Sequence, residues 1–342
     1  MKDINSYTLE QLKEEMISIG EKPFRATQIY EWLHKKLVSS FEEMRNIPEA
    51  LRHKLKKEYT FTKLEMVQVQ ESKEDGTKKF LFALPDGHMV ETFWMKYHHG
   101  NSVCISSQVG CRMGCRFCAS TLDGLERGLL PSEMLEQIYE VTRQTKERVS
   151  NIVVMGTGEP LDNYENLLTF LSIISGEQGL NISQRNITVS TCGLVPKMKE
   201  LAQEKLQITL ALSLHATTDA KRKEIMPIAN TYSIMELMEA CRFYFECTGR
   251  RITFEYSLIG GVNDSVEEAE QLAALAGPLH CHVNLIPVNP VEERKYRQSA
   301  HRDILAFKNK LEKKKINVTI RREMGRDIDG ACGQLRRRHL AK

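Results

Sequence analysis

The spacing of apolar residues changes period along the chain. Within the first sixty positions Leu9, Leu12 and Met16, then Ile29, Trp32 and Leu33, recur at helical intervals, and Thr8 with Gln11 forms a capping box ahead of the first set. From 61 to 95 alternation replaces that period. Asp75-Gly76 and Asp86-Gly87 punctuate it as turns, which predicts a small antiparallel meander, and a boundary is expected at 97–101. Beyond it, strand-like runs at 103–107, 152–155, 187–190, 208–213, 252–259 and 283–286 alternate with amphipathic segments such as the one carrying Leu167, Leu168, Leu171 and Ile174. Strand then helix, six times over, predicts a parallel sheet wound from β/α units. Six units fall short of a closed eight-fold barrel. The expected fold class is therefore α/β, a partial (β/α)6 barrel behind an N-terminal helical module and the meander, with 318–322 as an added edge strand. The expected divisions are 1–60 for the helical accessory domain, 61–97 for the meander, 98–325 for the barrel and 326–342 for a basic tail.

Composition narrows the class. A chain of 342 residues, 41% hydrophobic and 27% charged, supports a large core and excludes wholesale disorder or a fibrous repeat. No run approaches the ~20 apolar residues of a membrane span, and the opening carries acids where a signal peptide has its apolar region, so a cytoplasmic protein with no membrane partner is expected. In a reducing compartment nine cysteines serve metals or catalysis more often than disulfides. The net charge of +3 hides an asymmetry: 308–342 hold twelve Lys or Arg against four acids, a basic tail on a mildly acidic body. Such a tail points to a polyanion such as nucleic acid; a solvated charged surface is the bland alternative.

The loop after the first barrel strand holds Cys111, Cys115 and Cys118 at spacings of four and three, beside Gly110 and Gly114. Three thiolates held this closely are a metal site. One reading is structural zinc, with a fourth ligand from Cys104 or a distant residue. The other is a cubane iron–sulfur cluster with three irons on protein thiolates and a fourth open to a small molecule. Later strand ends carry Gly156-Thr157-Gly158-Glu159-Pro160, Ser190, Ser213-Leu214-His215 and Asn289. Each alone is an ordinary polar strand terminus, and together they favour one ligand pocket. Cys192, Cys241, Cys247 and Cys281 lack ligand spacing and read as packing.

The CxxxCxxC loop, with Phe117 before its last cysteine and β/α units behind it, resembles the radical S-adenosylmethionine enzymes. That resemblance implies a 4Fe–4S cluster on Cys111, Cys115 and Cys118, with S-adenosylmethionine chelating the open iron. It also implies reductive cleavage to a 5′-deoxyadenosyl radical, fed by an electron donor such as flavodoxin or ferredoxin. Gly158 and Glu159 look like the family's methionine-binding segment, and Ser190, Ser213, Leu214, His215 and Asn289 match positions that contact the cofactor. The stretches at 104–111 and 327–335 resemble one branch, the bacterial adenine C2 methyltransferases of 23S ribosomal RNA and transfer RNA.

That branch implies two S-adenosylmethionine molecules per turnover. One methylates a cysteine matching Cys332; the other supplies the radical that abstracts hydrogen from the S-methyl group. Cys104 matches the cysteine that resolves the protein–RNA thioether through a disulfide, and Glu91 matches the general base for the C2 proton. Chemistry explains the detour: adenine C2 is electron-poor and its hydrogen is not acidic, so an electrophilic methyl donor cannot reach it directly. Two rivals share features of this reading. One is the C8 adenine methyltransferase of 23S ribosomal RNA that confers antibiotic resistance and uses the same cysteines; Gly158-Glu159-Pro160 and Leu285-Ile286-Pro287 look closer to the C2 enzymes. The other is a non-catalytic metal-bearing RNA-binding protein. RNA contacts are expected from Arg336-Arg337-Arg338, from Arg52, Lys54, Lys56 and Lys57, and from Phe24, Arg25 and Trp32, with the target base extruded from its stack.

Overall fold

The N-terminal residues form three helices, α1 (Leu9–Ser18), α2 (Pro23–His34) and α3 (Glu49–Glu58), in a computed structural model that describes residues 1–98, 100–291, 293–330 and 333–340. The capping box is present: the Thr8 amide donates to Gln11 Oε1 at 2.9 Å and the Gln11 amide to Thr8 Oγ1 at 3.3 Å. A two-residue strand, Lys2–Asp3, pairs in parallel with Tyr59–Thr60 and ties the ends of the module together. Ile4, Leu12, Met16, Ile29, Leu33, Leu51 and Leu55 are buried in a core continuous with that of the rest of the chain.

Ten strands then lie in one sheet in strict chain order. They are β1 (Glu65–Glu71), β2 (Lys78–Ala83), β3 (Met89–Tyr97), β4 (Gly100–Ile105), β5 (Val149–Val154), β6 (Ile187–Thr191), β7 (Thr209–Ser213), β8 (Ile252–Leu258), β9 (Cys281–Pro287) and β10 (Val318–Ile320). Strands β1 to β4 pair antiparallel, and β4 to β10 pair in parallel. The six parallel crossovers carry α4 (Pro131–Thr145), α5 (Tyr164–Ser175), α6 (Val195–Gln203), α7 (Asp219–Ile225) with α8 (Ile234–Thr248), α9 (Val266–Ala276) and α10 (His301–Lys313). A strand order that never reverses, wound with one hand of crossover, sends all the helices to one side and leaves the other face to line an interior. This is the six-unit open barrel that the alternation predicts, and β10 is its added edge strand.

The expected boundary at 97–101 is a hairpin inside this sheet. Phe93 pairs with Cys104 and Tyr97 with Gly100, so hydrogen bonding passes from meander to barrel without a break. The helical module is likewise seated directly on the barrel. His34 Nδ1 lies 2.9 Å from the Tyr139 hydroxyl on α4, both groups fully buried, and burial lowers the His34 pKa to about 3. Helix α11 (Gln334–Leu340) follows the last described loop and buries Leu335. Among the described residues no helix is long and apolar enough to cross a membrane.

Inner strands of a parallel sheet are covered on both faces, and Leu210, Leu212, Phe254, Tyr256 and Leu258 are all fully buried. Phe254→Ala on β8 is expected to cost about 3–5 kcal/mol, read as a lower guanidinium midpoint. A loss below about 1 kcal/mol contradicts this placement of β8 in the core.

Candidate active site

At the C-terminal end of β4 the chain forms a ribbon, Gln108–Gly110 antiparallel to Leu125–Gly128, and the three cysteines lie in the loop between its arms. Gly110 has φ +76°, and the Cys111 amide then donates to the Gly124 carbonyl at 2.7 Å. The Cys118 amide donates to the Cys115 carbonyl at 3.1 Å, and Thr121 Oγ1 is 2.9 Å and 3.1 Å from the Cys115 and Cys118 carbonyls. All three cysteines line one cavity of about 220 Å³.

Burial pushes the Cys111 thiol up to about 12 and the Cys115 thiol higher still, with the neighbouring thiolates adding to the cost of charging each. A cationic centre among the sulfurs would favour the thiolate form. A donor set made only of sulfur suits soft iron–sulfur chemistry.

The second strand end packs tightly on the first. A Cβ on Gly158, whose φ is +112°, would stand 2.6 Å from Gln108 Cβ, and one on Gly156 would stand 2.7 Å from the Ile105 carbonyl oxygen. With glycine at both positions the Gly156 amide reaches Ile105 O at 3.0 Å, and the Ser107 and Gln108 amides reach Thr157 O at 2.9 Å and 3.1 Å. This lacing points Glu159 into the cavity wall, where it is 3% exposed. Its carboxylate accepts the Cys192 amide at 2.7 Å and the Leu161 amide at 3.0 Å; burial raises its pKa against the pull of these bonds. Glu255 on β8 is a second buried acid at the cavity, also raised by burial. Three cysteines, two carboxyl groups and Arg321 thus line one cavity.

His215 takes a left-handed backbone, φ +55°, and is buried at the same cavity. The Ser257 amide donates to His215 Nδ1 at 2.9 Å, which leaves Nε2–H as the ring's donor. Burial first, and Arg222 second, lower its pKa to about 3, so the ring is neutral. Phe117 packs edge-on against it with ring centroids 4.9 Å apart. Ser190 and Ser213 lie on the cavity with their hydroxyls 3.5 Å apart. Leu214 does not join them. Its side chain is fully buried in the main core, and its amide and carbonyl are taken by Glu255 O and Arg222 Nε.

Asn289 is exposed on a second, larger cavity of about 610 Å³ that shares Phe117, Cys118, Ser257, Ile286 and Arg321 with the first. Cys104 lies there too, buried on β4 beside Phe93 and Met95. Glu91, on β3, is 5% exposed rather than solvated. One of its oxygens accepts the Gly333 amide at 2.6 Å and stands 2.9 Å from Lys79 Nζ, while the other accepts the Arg336 amide at 2.7 Å. Cys332 lies outside the described residues.

Several contributors have little or no sequence signal. Cys192, expected to be packing, lines the cysteine cavity and gives its amide to Glu159. Cys241 is fully buried core, and Cys247 and Cys281 are half-buried against it, as expected. Arg222, fully buried, braces three strand-end carbonyls: Nη2 reaches Cys192 O at 2.6 Å and Ser213 O at 3.2 Å, and Nε reaches Leu214 O at 3.2 Å. Glu255 was detectable as the one acid inside the apolar run 252–259.

The expected RNA contacts are mostly engaged within the protein. Arg337 pairs with Glu293 at 2.7 Å and Arg338 with Asp329 at 2.5 Å. Arg52 and Lys54 donate to the Glu42 and Ile19 carbonyls at 2.8 Å and 2.6 Å, and Lys56 pairs with Glu42 at 2.6 Å. Lys36 covers the Trp32 ring at 3.5 Å, while Phe24 remains 50% exposed with Arg25 above it.

Known proteins share this arrangement. The family model of the ribosomal RNA large subunit methyltransferase N-terminal domain matches residues 2–60, and that of the radical SAM superfamily matches 105–275. The chain is 64% identical to a probable dual-specificity RNA methyltransferase RlmN of Lachnospira eligens over 99% of its own length and 97% of the relative's. It is 60% identical to one of Lachnoclostridium phytofermentans, over 99% and 96%. The crystal structure of a radical SAM methyltransferase from Sphaerobacter thermophilus superimposes with a TM-score of 0.93 at 41% identity, covering 98% of this chain and 99% of that one. With such identity along nearly its whole length and both family models met in order, the chain belongs to the RlmN family of radical S-adenosylmethionine RNA methyltransferases.

Proposed function

We propose that this RNA methyltransferase places a methyl group on C2 of adenine in 23S ribosomal RNA and in transfer RNA, with Cys332 as the methyl carrier and two S-adenosylmethionine molecules per turnover. The observation that carries this reading is the pair of adjoining cavities. One is walled by the three-cysteine loop, Glu159 and His215, and the other by Cys104 and the segment leading to Cys332. The radical SAM family uses a 4Fe–4S cluster and S-adenosylmethionine, and Cys111, Cys115 and Cys118 are the residues that would hold the cluster. Bound there, it supplies the electron that splits the sulfonium and leaves a 5′-deoxyadenosyl radical.

The remaining work falls to side chains of this chain. Glu159 offers a buried carboxylate to the ammonium of S-adenosylmethionine, and His215 Nε2–H, Ser190 and Ser213 offer hydrogen bonds to its polar groups. Asn289, at the outer cavity, and the backbone around Leu214 complete the contacts in this reading. The Cys332 sulfur carries the methyl group; after hydrogen abstraction its carbon adds to the electron-poor C2 of an extruded adenine. Glu91 takes the C2 proton on a lone pair that its amide partners leave free. The unpaired electron leaves the adduct for the electron-transfer partner as the ring regains aromaticity; the Cys104 thiolate then attacks the Cys332 sulfur, the S–CH2 bond breaks, the disulfide forms, and the released carbon takes up a proton to become the methyl group. A flavodoxin or ferredoxin as electron source and a reducing cytoplasm that restores both thiols fit this cycle.

Two outcomes test the reading. Ribosomal and transfer RNA from cells lacking this chain should lose 2-methyladenosine; loss of 8-methyladenosine instead would favour the C8 chemistry. Anaerobic turnover by a Cys104→Ala holoenzyme should stop after one event per enzyme, with a covalent protein–RNA adduct visible by denaturing gel. Full release of methylated RNA by that variant contradicts the assigned role of Cys104.

A further inference from the structure

The antiparallel strands β1 to β3 and the turn between β1 and β2 hold the chain on both sides of Cys332 with polar groups, of which Ser72, Lys79, Glu91 and Asp329 are buried. Before Cys332, the Gly325 amide donates to Asp75 at 2.9 Å, Ser72 Oγ donates to Asp327 Oδ1 at 2.6 Å, and the Lys73 amide donates to Asp327 Oδ2 at 2.8 Å. Gln70 grips Asp329 twice, donating to its carboxylate at 2.9 Å and accepting its amide at 3.1 Å. Lys79 Nζ donates to the Asp329 carbonyl at 2.6 Å. After Cys332, Glu91 accepts the Gly333 and Arg336 amides. The two halves meet in the Lys79–Glu91 ion pair, with Lys79 wholly buried and Glu91 nearly so.

We infer that the meander is a docking cradle for the Cys332 segment, with the Lys79–Glu91 pair as its clasp and with Lys79, Gln70, Asp327 and Asp329 as positioning residues for methyl transfer. A buried ion pair is a poor source of net stability, because desolvation of both charges offsets their attraction. It is a good source of register. Lys79 reads a backbone carbonyl at 329 and Glu91 reads backbone amides at 333 and 336, so a slip of the segment by one residue breaks both sets of bonds and leaves two charges buried without them. A sulfur that must first receive a methyl group and then present it to a base needs its chain held in one register, and an ordinary apolar anchor would not supply that. The inference rests on the reading of Cys332 as the methyl carrier.

The test uses cluster-loaded enzyme, a Lys79→Met variant, and an Asp327→Ala variant. Asp327 is exposed, so that second variant serves if removal of the buried lysine prevents folding. Three quantities are read: backbone amide exchange at 333–336, 5′-deoxyadenosine formed per methylated adenine, and the fraction of the Cys332 peptide carrying an S-methyl group by mass. The cradle predicts faster exchange at 333–336 and continued reductive cleavage in the variants. It also predicts a rise in 5′-deoxyadenosine per methylated adenine on the order of 10²-fold, the scale of a small misplacement of a reacting group. An unchanged ratio, or cleavage and methylation falling together, overturns the cradle. Wild-type enzyme that never methylates Cys332 overturns the carrier reading itself, and this inference with it.

Discussion

Thiols buried in a protein cavity resist ionisation, and three of them in one short loop resist it more, because each charge raises the cost of the next. Cys111 and Cys115 are held in that condition by the ribbon at 108–128 and by a loop whose amides and carbonyls are spent on one another. A cationic centre among the sulfurs would offset that cost. The rest of the site fits the same reading: Glu159 and Glu255 bring two buried carboxyl groups to the cavity, each raised in pKa by burial, while the neutral His215 adds a donor without adding positive charge.

The sheet explains how so many strand ends converge. In a parallel sheet wound in one direction, successive strands deliver their C-terminal loops to the same rim. The cysteine loop follows β4, Glu159 follows β5, Cys192 follows β6, and His215 follows β7. Glycine at 156 and 158 lets the first two ends touch through backbone, and the buried guanidinium of Arg222 ties the carbonyls of the next two. At the other edge the antiparallel strands bring Glu91 and Lys79 to the same rim, some 240 residues from the segment they hold.

Local pattern carried much of this. The cysteine spacing, the two Asp-Gly turns and the six strand–helix alternations are short-range features, and each has its counterpart in the structure. What the sequence hid depends on pairing between distant segments. Nothing near 97–101 signals that β3 and β4 are hydrogen-bonded neighbours, and so the meander reads as a separate unit. Lys79 alternates like any strand residue; its burial follows from a partner on β3 and a carbonyl at 329. Cys192 lacks ligand spacing because its contribution is an amide. The Leu214 side chain is buried in the main core while Ser213 and His215 line the cavity, because adjacency in sequence does not decide which way a side chain faces.

The central claim is that the three cysteines leave one corner of a cubane cluster free for a small molecule. Mössbauer spectroscopy of protein reconstituted anaerobically with iron-57, before and after addition of S-adenosylmethionine, addresses it directly. The account predicts one iron in four whose signal shifts on addition while the other three stay put. Four irons that ignore the sulfonium, or a protein that takes up zinc and no iron, would contradict it.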